Sequence, residues 1–125
     1  MSYVYLARAV NERGDLVRAQ ALLEEAMGIE LALGLRSPNY MVIDAMAVVA
    51  AARGDAGRCA RLRGAADSLM AERHHYRRAN LEWEYAPYIA AARAALGDEA
   101  FEAAYSEGRA MTPEQAVEYA LTDRS

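Results

Sequence analysis

His74 and His75 are the two histidines of the chain, and their adjacency limits what they can do. Histidines that share a metal ion from one helix stand four residues apart, because that spacing puts both imidazoles on one face; neighbours point apart. No cysteine or carboxylate completes a ligand set around them, so neither a metal site nor a cofactor is expected. Glu24 and Glu25, like Glu82 and Glu84, read as charged positions on helical stretches and not as an acid–base pair. Nowhere do a nucleophile, a base and an orienting group come together, and an enzyme is not expected. Cys59 stands alone, which excludes a disulfide framework and fits a reducing cytoplasm.

Two groups suit binding better than catalysis. Tyr76, Trp83, Tyr85 and Tyr88 gather around Pro87. Such a cluster either fills a core or lines a pocket, since tryptophan and tyrosine combine an apolar body with a polar tip. Trp83, Tyr85 and Tyr88 are the candidate pocket for a small molecule. The second group centres on Asp44, which interrupts the most apolar run of the chain, Tyr40 to Ala52. An unpaired carboxylate there is costly to bury. Pairing with Arg8 or with a local backbone amide is one resolution, and contact with a partner is the other.

The elements that carry these residues are punctuated by three Gly-Asp dipeptides, at 14–15, 54–55 and 97–98. Glycine supplies the left-handed backbone that ends a helix, and aspartate accepts from the free amides that start the next. Each dipeptide predicts a tight corner between two helices. Apolar residues recurring at helical spacing predict helices from about Ser2 to Arg13, Leu16 to Gly34, 38 to 53, 55 to 73 and 80 to 96. Pro87 either kinks the fifth or marks its true start. Asp98 opens the sixth, to about Ala110. The last starts at Thr112-Pro113-Glu114-Gln115, a capping box with proline at the first helical position. No stretch alternates as a strand does. The expected fold is all-α, one domain with hairpins at about 2–34, 38–74 and 80–110 and a cap at 113–121.

Charge narrows the partners. The net charge of −4 and pI of about 5.2 argue against direct nucleic-acid binding. All 14 basic residues are arginine, unevenly spread: seven against three acids over residues 53–78, and three against nine acids over residues 79–125. The two segments are expected to attract each other within the fold or between subunits. No signal peptide is read at the start, and the run around Asp44 is too short to span a membrane. A cytoplasmic location without membrane contact is expected.

The first two corners overlay in register. Leu6-Ala7, Ala19, Leu23 and Ala26 match Met46-Ala47, Cys59, Arg63 and Ala66. This resembles the tetratricopeptide (TPR) repeat, with two departures: Arg63 replaces a large apolar residue, and the period is 40 where the repeat usually has 34. In the third unit Ile89-Ala90 would be the matching pair, and Glu102 replaces the packing alanine. The segment AARAALGDEAFEAAYSEGRAMTPEQAVEYAL is similar to the tail of large bacterial regulators: LuxR-type activators, ATPase-coupled transcription factors and cyclase–ATPase fusions. RCARLRGAADSLMAE resembles the segment just upstream in the same proteins.

The resemblance implies helical hairpins stacked in a right-handed superhelix with a C-terminal capping helix, acting as an interaction module of a transcriptional regulator that receives or relays a signal. Cys59 would be a buried structural thiol. Tyr5, Arg8, Asn11, Glu12, Met41, Asp44 and Val48 would line a groove for a protein or peptide, including other domains of a larger regulator. Tyr3, Val4, Tyr5 and Leu6 leave an apolar end uncovered, from which a homodimer through the first helix is expected. A homo-oligomerisation module and a small-molecule sensor are the alternative readings.

Overall fold

In a computed structural model, the described residues are 15–34, 40–72 and 79–122. They form six helices and no strand: α1 (Leu16–Ala32), α2 (Tyr40–Ala52), α3 (Ala56–Glu72), α4 (Ala79–Leu96), α5 (Asp98–Arg109) and α6 (Pro113–Thr122). The all-α expectation holds. The helix expected over 2–13, Gly14, the Ser37-Pro38 start and the His74-His75 pair lie outside the described residues.

Two of the expected corners share one cap. Asp15 accepts from the Arg18 amide at 3.2 Å, and 40 residues later Asp55 accepts from the Arg58 amide at 3.2 Å. Before Asp55, Gly54 takes φ +84°, its amide bonds to the Ala51 carbonyl at 3.1 Å, and the Asp55 amide bonds to Ala50 at 2.9 Å. This is a Schellman ending, which satisfies the last carbonyls of α2. The third corner departs from expectation. Gly97 itself is the N-cap at φ +94°, ψ +146°, with no side-chain cap bond. Asp98 is already helical and reaches back to Arg93 at 3.5 Å. That backbone region is open to glycine alone, so glycine makes this corner without the aspartate.

α3 is the hub. Val42 to Ala50 of α2 are all buried, as an all-round apolar helix requires, and they pack on α1 and α3. α3 buries Cys59, Ala60, Leu62, Ala65, Ala66 and Leu69, and it touches α2, α4, α5 and α6. Its crossing with α5 brings the two backbones together. A Cβ on Gly64 would meet the Tyr105 carbonyl and lie 2.9 Å from the Arg109 amide nitrogen; one on Gly108 would strike the Arg61 carbonyl. The two glycines let the backbones touch.

α4 runs unbroken through Pro87, so the proline is neither its start nor a stop. The expected pair Ile89-Ala90 does not seat as Met46-Ala47 does: Ala90 is exposed, and Tyr85 and Ala92 are the buried positions. α6 has the expected capping box, Thr112 Oγ1 accepting from the Gln115 amide at 3.1 Å and Gln115 Oε1 from the Thr112 amide at 2.9 Å. It buries Ala116 and Ala120, but its main contacts are with α3 and α1. The last helix therefore folds back across earlier helices and is not chiefly a lid on the α4–α5 pair.

Candidate functional site

Asp44 and Arg63, the two misfits of the sequence, meet. Arg63 Nη1 donates to Asp44 Oδ1 at 3.2 Å, and Nη2 donates to Glu82 Oε1 at 2.7 Å. Asp44 and Arg63 are 3% and 6% exposed, whereas the Glu82 side chain stands half in solvent. One guanidinium thus joins α2, α3 and α4, its charge balanced inside and at the rim. A buried charge needs such a partner, and the forked donor of arginine serves two carboxylates at once. Arg8, the partner suggested for Asp44 by the sequence, lies outside the described residues. The signal for Arg63 was present: Asp44 precedes Gly54 by ten residues and Arg63 follows it by nine, so an antiparallel pair folded at that corner sets them opposite.

Cys59 sits one helical turn before Arg63, with no exposure. Burial pushes its thiol from 9.0 up to about 12, against the opposing pull of Arg63. It is a neutral packing group at physiological pH, as the sequence suggested. Tyr105 gives its hydroxyl to Asp67 across the α3–α5 crossing, and burial first, then that bond, raises it to about 12.

The basic middle and the acidic end do attract each other. Besides Arg63 with Glu82, Arg61 Nε meets Glu107 at 2.8 Å. Arg58, 3% exposed, donates to the Ala120 carbonyl at 2.7 Å and the Tyr119 carbonyl at 3.4 Å, and lies 5.4 Å from the Tyr119 ring centre. A cation among the last carbonyls of a helix is favourable to their partial negative charge. Arg58 was read from sequence only as part of a basic run; its burial is what gives it this role.

Of the groove candidates, Tyr5, Arg8, Asn11 and Glu12 lie outside the described residues. Met41 is half-buried, and Asp44 and Val48 are each 3% exposed, so these two face the interior. The aromatic candidates separate. Trp83 is 80% exposed and Tyr88 half-buried, while Tyr85 is 4% exposed on the inner side of α4. Because the helix continues through Pro87, residue 85 turns away from 83 and 87. Trp83, Glu84, Ala86, Pro87, Tyr88 and Ala90 border a depression of about 620 Å³, all of it on α4. It is an open helix face and not an enclosed cavity.

Among the described residues no group of histidine, cysteine, aspartate or glutamate is placed to hold a metal ion, and no helix is long and apolar enough to cross a membrane.

No family model matches the chain. Nor does any solved structure match. The chain is similar to curated relatives named HTH-type transcriptional regulators, one from Mycobacterium bovis and two from strains of Mycobacterium tuberculosis, each 33% identical over 123 residues. The similarity takes in 94% of this chain and spans 13% of the length of each relative.

Proposed function

We propose that the chain is a TPR-like helical-repeat module of a bacterial transcriptional regulator, or a short relative of such a module, which binds a protein or peptide and performs no bond chemistry. The repeated corner carries this reading: the same aspartate cap on the same arginine amide at residues 15 and 55, at the spacing the sequence repeat requires. The similarity to transcriptional regulators along nearly the whole chain agrees with it. A helical array binds by presenting a preformed surface, so its mechanism is docking. Nucleic acid is not its partner, on the acidic balance of the chain. The small-molecule reading is the weaker one, because the aromatic face of α4 is open.

The test is a calorimetric titration of this chain against a mycobacterial relative from which the matching segment has been deleted. Saturable binding that is lost on replacing exposed residues of this chain is expected. Absence of binding at the highest soluble concentrations would overturn the regulator-module reading.

A further inference from the structure

Pro87 sits inside α4 and divides it into two stretches that are held differently. Proline has no amide hydrogen, so the Trp83 carbonyl receives no bond from residue 87, and the ring crowds that same carbonyl. After the proline the helix is fastened along its length. Ala92 is buried, and Ile89 and Leu96 pack against the core. Arg93 bonds to Glu102 at 2.6 Å and to Asp98 at 3.5 Å, with its guanidinium 4.4 Å from the Phe101 ring centre. Before the proline the hold is sparser. Over residues 82–86 Tyr85 is the one buried side chain, and Trp83 and Ala86 stand exposed. The Glu82 carboxylate, on Arg63 Nη2 at 2.7 Å, ties this stretch to the interior.

The ion cluster can release Glu82 and keep Asp44. Arg63 and Asp44 are buried opposite charges 3.2 Å apart, so the departure of Glu82 leaves no uncompensated charge inside, whereas the departure of Asp44 would. The Glu82 side chain is 53% exposed, so water reaches this rim and takes the vacated place on Nη2. Residues 79–86 make about two turns of helix, too short to stay helical in water once released. Release and unwinding are therefore one event. It takes with it the bonds from the amides of residues 88–90 to the carbonyls of 84–86, and it stops where the amide of residue 91 meets the Pro87 carbonyl.

We propose that residues 79–86 form a latch that opens locally, hinged at Pro87 and pinned by Glu82 on Arg63, while residues 91–96 stay docked on α5 and the core. Opening uncovers Tyr85 and part of the α2 and α3 surface on which α4 lies. The surface of the chain thus has two states, and one ion pair at the rim sets the balance between them. The device goes beyond the docking reading and stands whether or not the module binds a protein.

Amide hydrogen exchange of the full chain, resolved by residue in NMR, tests the latch. In the parent, residues 83–86 should exchange faster than 91–96, with a step at Pro87. Glu82→Ala should speed exchange of 83–86 by about tenfold or more, the worth of one hydrogen bond between charged groups. Residues 91–96 and the other helices should keep the exchange of the parent. Alanine is the better helix former, so propensity acts in the opposite sense. Glu82→Asp keeps the charge at the helix start but is one methylene short of Arg63, and it should behave as Glu82→Ala does. Pro87→Ala restores the missing bond and should slow exchange of 83–86 and remove the step. The pin is overturned if Glu82→Ala leaves 83–86 unchanged, if it speeds both sides of residue 87 alike, or if Glu82→Asp matches the parent. The hinge is overturned if Pro87→Ala and the parent share one smooth exchange profile along α4.

Discussion

α4 and α5 are consecutive helices attached to the same hub, and they are attached by opposite means. α5 meets α3 backbone to backbone at Gly64 and Gly108, buries Phe101 and Ala104 nearby, and turns a polar outer face of Glu99, Glu102, Ser106 and Glu107 to solvent. α4 meets α3 less closely, through the Arg63–Glu82 pair and a few apolar positions, and leaves an apolar outer face. A helix that is polar outside and tightly seated inside leaves little apolar surface to water. One that is loosely seated keeps apolar side chains in water. The difference lies in how much of each helix the core takes up.

The largest effect is expected where the charges join α4 to the interior. Arg63→Met leaves Asp44 buried without its guanidinium and should cost about 3–5 kcal/mol in denaturant unfolding. The double variant Asp44→Leu/Arg63→Met should recover much of this, because the buried carboxylate that the guanidinium answers is then gone as well. If the single variant is as stable as the parent, the ion cluster does not hold these helices.

Next is the glycine crossing. Gly108→Ala drives a Cβ into the Arg61 carbonyl, which only separation of α3 and α5 can relieve, and should cost about 3 kcal/mol. An unchanged melting temperature would mean that the close crossing does not exist.

Arg58→Met keeps the aliphatic bulk and removes the donors to the Tyr119 and Ala120 carbonyls. A loss of about 1.5–3 kcal/mol is expected, the usual range for hydrogen bonds from a charged group. Hydrogen exchange should show the opening concentrated in α6. Uniform loss of protection over all helices would place the role of Arg58 elsewhere.

The smallest effects on folding belong to the outer faces. Glu99→Ala on α5 and Ala94→Glu on α4 should each change stability by no more than about 0.5 kcal/mol. A markedly larger loss in either variant would mean that its side chain is held inside the fold.

Much of this molecule was legible in its sequence because the information is local. The Gly54-Asp55 ending and the Thr112–Gln115 box depend on a few adjacent residues and came out as read. Gly97-Asp98 looked the same but is capped differently, since a glycine in that backbone region makes the corner and leaves its neighbour free to serve Arg93. The candidate site was legible only in part. Asp44 and Arg63 each stood out as a misfit, and what paired them was the antiparallel return of the chain at Gly54. Trp83, Tyr85 and Tyr88 were grouped by nearness in sequence, and helical rotation separated them.

Composition, periodicity and corner chemistry by themselves determined that this chain is all-α, where most helices begin and end, and that its basic middle would meet its acidic end. These follow from backbone preference, side-chain spacing and the sign of charge, none of which needs a distant residue. The fold-back of α6 onto α1 and α3, the contact of Gly64 with α5, and the burial of Arg58 and Arg63 were decided only in the tertiary structure. Each depends on which faces of non-adjacent helices come together. That choice is set by packing the whole core at once, with close backbone approach permitted at glycine and buried charge permitted where its partner arrives.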